Sequence, residues 1–499
     1  MKKIIVSLFL TGCTLGPNYK PPESEISDQW QEVLEVASQE SPLVDWWRLF
    51  QEPLLDKYIE MATASNFDLL ALEANILEAR AFRMMAAAPL FPQLIGDINA
   101  TKSYFSKNGP VFAIGVASGS STGGGGTTTS GTVAPTTSGV SSPLTGLPFT
   151  VQIPQKQNLY NVLLDASWEI DFFGRTRRSV EAAEATIQMT MEARHDLLLT
   201  LLAEIASHYI EIRSFQTQAT LIEENIYLLE KESDIVRHNK EEGLDNQLEL
   251  ERIEAQLATA RANLPTIIAQ VYRAIYALSV LTGNLPEVLA EELLPLQPLP
   301  ILPAKIAMGL RSDLMRRRPD VRLAERQLAQ ATANIGVAVA SFFPTFTLLG
   351  DVGLQSLLFP KLFQANSKTW AYGGDLSIPI FQGGSLVGNL RATKAAEKSA
   401  AYHYQQIVLN AAKEAESALV TYHSDVKKGN DFLKSVKHYR SLVDLTEQRY
   451  DLGLTSSLPL LDSQRQLNAA EQNLVEIQTT TLLDLIALYK SLGGGWELF

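Results

Sequence analysis

Six histidines and a single cysteine are the side chains best suited to metal or nucleophilic chemistry in this chain, and their spacing argues against both. A zinc site needs three or four converging ligands, usually in closely spaced pairs. His195, His208, His238, His403, His423 and His438 are scattered instead, and Cys13 stands alone, so no intramolecular disulfide can form. His208 lies on the apolar seam of a long helical stretch, where a lone histidine reads as packing. No nucleophile elbow or phosphate loop occurs. The run Gly123 to Gly126 lacks the flanking strand and helix that a dinucleotide site requires. Asp462 and Arg465 share one helix face at i, i+3 spacing. From the residues alone they read as an exposed ion pair worth under about 1 kcal/mol. Nothing here predicts an enzyme or a cofactor.

The elements that position these residues begin at the amino terminus. Lys2 and Lys3 precede an apolar run, Ile4 to Leu10, and then Thr11-Gly12-Cys13, the order of a secretory signal. Leu10-Thr11-Gly12-Cys13 resembles the bacterial lipobox, which makes Cys13 the expected site of acylation and the first mature residue. Two or three acyl chains suffice for stable anchoring. Thr14 follows, not Asp, so no inner-membrane retention signal is evident. The formal charge of −13 does not suggest nucleic-acid binding. No run of about 18 apolar residues appears, so no transmembrane helix is expected. Any membrane crossing must be made by strands.

An internal repeat organises the rest. Asp165-Ala166-Ser167-Trp168-Glu169-Ile170 aligns with Asp375-Leu376-Ser377-Ile378-Pro379-Ile380 at an offset of 210 residues. The same offset places Gly243-Leu244 on Gly453-Leu454 and Gln256-Leu257 on Gln466-Leu467. Upstream, Asp68 matches Asp320 and Phe91-Pro92 matches Phe343-Pro344 at an offset of 252, so the first copy carries 42 additional residues. These include the Gly-, Ser- and Thr-rich stretch 119–150, whose composition predicts an exposed loop.

Each copy pairs strand-like with helix-like patterns. Tyr160, Val162, Leu164, Ala166, Trp168, Ile170 and Phe172 alternate with Asn161, Asp165, Ser167, Glu169 and Asp171; Trp370, Tyr372, Leu376, Ile378 and Ile380 oppose Asp375 and Ser377. Weaker partner strands precede them, around Ile98 to Tyr104 and Phe346 to Gln355. A soluble sandwich alternates as well, but aromatic residues on the apolar face suit the girdle of a lipid-facing barrel. Helical patterns follow, from about 175 to 240 and 246 to 281, then 385 to 451 and 457 to 492. Leu198, Ile205, Ile212, Ala219 and Ile226 recur every seven residues, and Leu201, His208, Phe215, Ile222, Leu229 and Val236 three places later. That is a sustained heptad seam on a helix roughly 100 Å long. Four strands cannot close a barrel, and open edges are forbidden in lipid. Two chains would supply eight strands and three would supply twelve; closure by oligomerisation is required in either case.

Gly16-Pro17-Asn18-Tyr19 after the lipobox, Trp46-Trp47-Arg48-Leu49-Phe50, Asn66-Phe67-Asp68-Leu69, Trp168 to Arg175, Arg317-Arg318-Pro319-Asp320, Leu460 to Arg465 and the closing Tyr489 to Trp496 resemble the lipoprotein branch of the TolC-like outer-membrane factors. The match runs in order almost end to end. The resemblance implies an α+β, internally duplicated outer-membrane efflux protein fold. Four transmembrane β-strands and long coiled helices per protomer would assemble into a homotrimer, with a twelve-stranded barrel over a periplasmic α-helical tunnel. It also implies the exit duct of a tripartite multidrug efflux pump, with a periplasmic adaptor protein and an inner-membrane RND-type pump as partners. A duct for type I protein secretion is the alternative within the family, and a structural coiled-coil envelope protein the alternative outside it. On this reading residues 1–12 are the signal, 13–60 an N-terminal extended and equatorial segment, and 61–284 the first repeat with its loop at about 106–155. Residues 285–310 are then a linker, 311–492 the second repeat, and 493–499 a tail. Asp462 and Arg465 resemble the family's constricting acidic ring and neighbouring arginine, with Tyr450 close by. One turn before Asp462 stands Pro459, so no second acidic ring is expected. Arg252 is the repeat counterpart of Asp462, so opposite charges are expected to bridge neighbouring helix pairs. The turns at Gly243, Leu244, Gly453 and Leu454 are the expected adaptor-contacting tips.

Overall fold

Period-two and heptad stretches become separate structural units in a computed structural model of the chain. It describes residues 14–22, 29–30, 37–38, 44–106, 155–243, 246–303, 306–309 and 311–498. Cys13 with the expected signal, Leu244 and the Gly/Ser/Thr-rich stretch 119–150 lie outside the described residues. Two compact units emerge: one of Met1–Ala87, Phe173–Phe342 and Phe381–Phe499, the other of Ala88–Phe172 and Phe343–Ile380.

The first unit contains the helices. A short strand β1 (Ala37–Ser38) pairs in parallel with a later one, Ile306–Ala307. Then come α1 (Pro53–Ser65) and α2 (Phe67–Ala87), separated by Asn66, whose side chain accepts from the Asp68 and Leu69 amides. The long helix α3 spans Arg175–Glu241 and turns at Gly243 into α4 (Gln247–Leu281). Short helices α5 (Ala290–Leu293) and α6 (Leu314–Arg317) lead to α7 (Pro319–Ala340). The second copy contributes α8 (Ser385–Asp451) and α9 (Ser457–Ser491). α3 and α8 are each 67 residues and α4 and α9 each 35, so the repeat offset of 210 holds to the residue at every one of their ends.

The heptad seam explains how α3 packs. Leu198, Leu201, Ile205, Ile212, Leu229 and Val236 are all buried. α4, α7, α9 and α2 all pack along this helix. The broadest core forms where Trp46, Trp47 and Phe50 meet α1, the middle of α3 and the ends of α4 and α9. There Trp46 stacks on Tyr489 at 5.6 Å and 7° and its indole donates to the Gly494 carbonyl at 3.2 Å. His208 is paired with Glu211 at 2.8 Å and is only part-buried, so it sits at the margin of the seam.

α4 is long and apolar enough, by length and composition, to cross a membrane, although no unbroken apolar run announces it. The reason is its last half, where Leu, Ile, Val and Ala dominate between isolated polar residues. Val271, Ala274, Ile275 and Leu278 from that half are buried in the core of the helical unit.

A segment at the other end of α3 straps the two copies together. Leu15 N–H donates to the Phe173 carbonyl, and Arg178, 3 % exposed, donates to Leu15 O at 3.1 Å and Asn18 Oδ1 at 2.7 Å. Gly16, at φ +93°, backs onto Gly336 of α7 so closely that a Cβ there would sit 2.6 Å from the Gly336 Cα. Tyr19 completes the strap by donating to Glu325 at 2.8 Å.

The second unit is one antiparallel sheet of β2 (Gln93–Tyr104), β3 (Lys156–Ile170), β5 (Thr345–Ser356) and β6 (Lys368–Ser377), in that order; β4 is the Ile306–Ala307 strand named above. Pairings such as Leu94 with Ala166, Val162 with Leu354 and Phe346 with Leu376 put even-numbered residues beside even-numbered ones across all three ladders. The even face is therefore apolar and the odd face polar, because successive side chains point to opposite sides. Ile98 is 81 % exposed on the even face and Tyr372 82 %. The odd face carries Asp97, Asp165, Glu169, Asp351 and Asp375, with Asp165 directly opposite Asp351. Among the described residues, β2 and β6 each have one unpaired edge.

Candidate functional site

The predicted gate residues sit near the two helical turns, and the turns owe their shape to glycine. Gly243 and Gly453 take φ of +71° and +68°, a left-handed conformation that stops a helix without the penalty a Cβ would bring. At the second turn Gly453 N–H donates to the Tyr450 carbonyl and Leu454 N–H to the Arg449 carbonyl, at 2.9 and 2.8 Å. Of the expected tip side chains Leu454 is 66 % exposed, and its neighbour Leu452 is 72 % exposed.

Asp462 and Arg465 share a face of α9 but are not each other's partners. Asp462 accepts from Gln466 at 2.8 Å. Arg465 reaches across to α3, where its Nη1 lies 3.5 Å from Glu232 Oε2. Arg252 is held by Glu249 on its own helix, α4. Within one chain, and among the described residues, Arg252 forms no ion pair with Asp462. Tyr450 is 44 % exposed at the end of α8, and its hydroxyl has no hydrogen-bond partner among the described residues.

Glu232 is the group these residues surround, and the sequence reading did not single it out. Its side chain is only 3 % exposed, and its Oε2 has no hydrogen-bond donor among the described residues. Burial raises its carboxyl above the ordinary range; Arg465 and Arg252 oppose that rise, while Asp462 and Glu249 add to it. Three helices thus contribute charge to one spot: α3 the buried acid, α4 an Arg–Glu pair, α9 an arginine and an aspartate. The repeat offset held an available signal, because Glu232 stands where the second copy has Leu442.

Farther from the turns, the two hairpins carry one interhelical strut with its charges exchanged. Arg261 of α4 binds Glu230 of α3 at 2.6 Å; Arg440 of α8 binds Glu471 of α9 at 2.7 Å. The offset of 210 maps Glu230 onto Arg440 and Arg261 onto Glu471. Duplication kept the strut and inverted its polarity, as it did at Arg252 and Asp462.

The sheet unit thus offers strands with one polar face, and the helical unit offers paired helices with a charged knot beside their turns. Among the described residues no group of three or more His, Cys, Asp and Glu side chains is placed to hold a metal ion.

Comparison with known proteins agrees with the architecture. The chain is similar to the antibiotic efflux pump outer membrane protein ArpC of Pseudomonas putida, 30 % identical over 99 % of this chain and 96 % of that protein. It is similar to the cation efflux system protein CusC of Escherichia coli, 28 % identical over 99 % and 98 %. The solved outer-membrane channel OprN superposes with a TM-score of 0.82 at 26 % identity, covering 97 % of this chain and all of that one. The family model described as outer membrane efflux protein matches residues 58–284 and 310–494. With both helical hairpins and all four long strands inside those two matched stretches, the chain belongs to the outer membrane efflux protein family.

Proposed function

We propose that the chain is the outer-membrane exit channel of a tripartite efflux pump, passively conducting small amphipathic compounds delivered by an inner-membrane RND-type pump and a periplasmic adaptor. The observation that carries this reading is the sheet. It has one apolar and one polar face and two open edges, so in lipid it must find further strands. Three copies give a closed barrel of twelve strands, with the acidic odd face turned to the lumen and the even face to lipid.

Energy comes from the pump, and the channel contributes a path and a gate. Asp462 and Arg465, with Arg252 and Tyr450 nearby, constrict the helical end. The turns at Gly243-Leu244 and Gly453-Leu454 are the tips that meet the adaptor, and the exposed Leu454 offers it an apolar contact. Acylation of Cys13 anchors the mature chain, and the strap from Leu15 to Tyr19 holds the following residues against α3 and α7. The repeats, 61–284 and 311–492, are the functional units of the wall.

Organic cargo is favoured by the likeness to ArpC, whose name specifies antibiotic efflux. Deleting the gene tests this directly. The expected result is greater susceptibility to drugs and detergents and greater dye accumulation, restored by the gene in trans. Unchanged accumulation would overturn the reading. Loss of a secreted protein alone would redirect it to type I secretion, and sensitivity to metal salts alone to cation efflux.

A further inference from the structure

The four long strands carry only three basic side chains, Lys102, Lys156 and Lys368, and all three fall in the same part of the sheet. Each is on the even, apolar face. Lys156 and Lys368 open their strands, and Lys102 is third from the end of β2. The register places Lys156 opposite Tyr104, Lys102 opposite Asn158 and Lys368 opposite Leu354. Each lies at the end of its strand that runs into a loop, away from the end that runs into helices, with Lys368 in line across the ladders with Val162 of β3. Each lysine is exposed.

Alongside them on the same face are Tyr104, Tyr160, Trp370 and Tyr372. Trp370 and Tyr372 stack at 5.8 Å, and Phe359 from the following turn packs edge-on against Tyr160 at 5.5 Å. Solubility does not account for lysines here, because the odd face would hydrate them and instead carries acids alone. A lysine on a lipid-facing surface has a methylene stem that lies along the acyl region and an ammonium that must reach the headgroups. The loop end is the outer end if the helices lie in the periplasm, so those headgroups belong to the outer leaflet.

We infer that Lys102, Lys156 and Lys368 form a lipid-facing collar that binds the phosphate groups of phosphorylated glycolipid in the outer leaflet, with the neighbouring aromatic side chains packing against its sugar and acyl portions. The collar rests on the barrel reading above. Three chains place nine ammonium groups around the rim. Phosphate is the complementary chemistry because it is anionic, sits at headgroup depth and accepts several N–H donors at once.

The experiment uses purified detergent-extracted channel and native mass spectrometry after incubation with diphosphoryl lipid A, dephosphorylated lipid A or phosphatidylethanolamine. The parent is expected to retain diphosphoryl lipid A preferentially. A triple variant, Lys102→Gln, Lys156→Gln and Lys368→Gln, should retain at least tenfold less while holding phosphatidylethanolamine equally. The corresponding Lys→Arg triple variant should restore retention. Equal retention by parent and Gln variant would overturn the collar, as would a parent indifferent to the phosphates. So would competition by millimolar inorganic phosphate, which would mark a free-anion site. Should the Gln variant fail to assemble, the parent's preference and the Arg variant's retention still decide the matter. A parent that forms no detergent-dependent oligomer would instead sink the barrel reading itself.

Discussion

Glu232 shows what single residues do in this wall. A carboxyl with 3 % of its side chain exposed needs a cation, and Arg465 supplies it at 3.5 Å. Removing one partner of a buried pair leaves the other uncompensated, which costs more than the pair contributes when intact. Arg465→Gln and Glu232→Gln should therefore loosen the same contact between α3 and α9. In planar bilayers both are expected to raise single-channel conductance, with the double variant no more open than the more open single one. If Arg465→Gln conducts like the parent, the gate assignment fails. If only Glu232→Gln conducts like the parent, Glu232 is merely structural. The placing of Asp462 and Arg465 on one helix face near a turn was legible in the sequence from their spacing and the repeat. Glu232 was not, since a glutamate beside a heptad seam normally faces water; only its apolar counterpart Leu442 marks it as unusual.

At the scale of elements, periodicity made the long helices and strands readable. An unbroken seam over α3 can be satisfied only by long partner helices, and the repeat offset then fixed α8 and α9. Pairings within the helical unit were less visible, because they depend on side chains that differ between the copies. Asp425 of α8 and Asp484 of α9 stand where the first copy has Phe215 and Ala274. Asp484 Oδ2 meets no donor among the described residues. Burial, with Asp425's hydrogen bond and charge adding to it, pushes Asp484 up to about 6. The sign follows from linkage: a raised carboxyl stabilises the fold below its unfolded value of about 4, and that stabilisation is lost as pH rises through about 6. Thermal unfolding of the helical part, followed by circular dichroism, should therefore occur at a higher temperature at pH 5 than at pH 7.5. Asp484→Asn should flatten the difference, and an undiminished difference in that variant would exclude this pair as its source. The exchanged struts are a contrast. Arg440 is exposed, and its bond to Glu471 contributes under about 1 kcal/mol, so Arg440→Ala should shift the midpoint by only a few degrees or less.

For the whole molecule, the decisive fact is that one chain is incomplete. Its sheet is finished on both faces and unfinished at both edges, and its helices expose apolar residues along their length, among them Leu77, Met84, Tyr402, Leu409 and Leu445. Closure was legible in the sequence as a necessity, but alternation and strand count alone left two chains or three open. Three follows from membership of the family. The most direct test is to weigh the detergent-extracted particle by native mass spectrometry and record the same preparation in planar lipid bilayers. A particle of three chains that conducts ions in discrete steps is the predicted result. A particle with a different number of chains, or a three-chain particle that never conducts, would contradict the account.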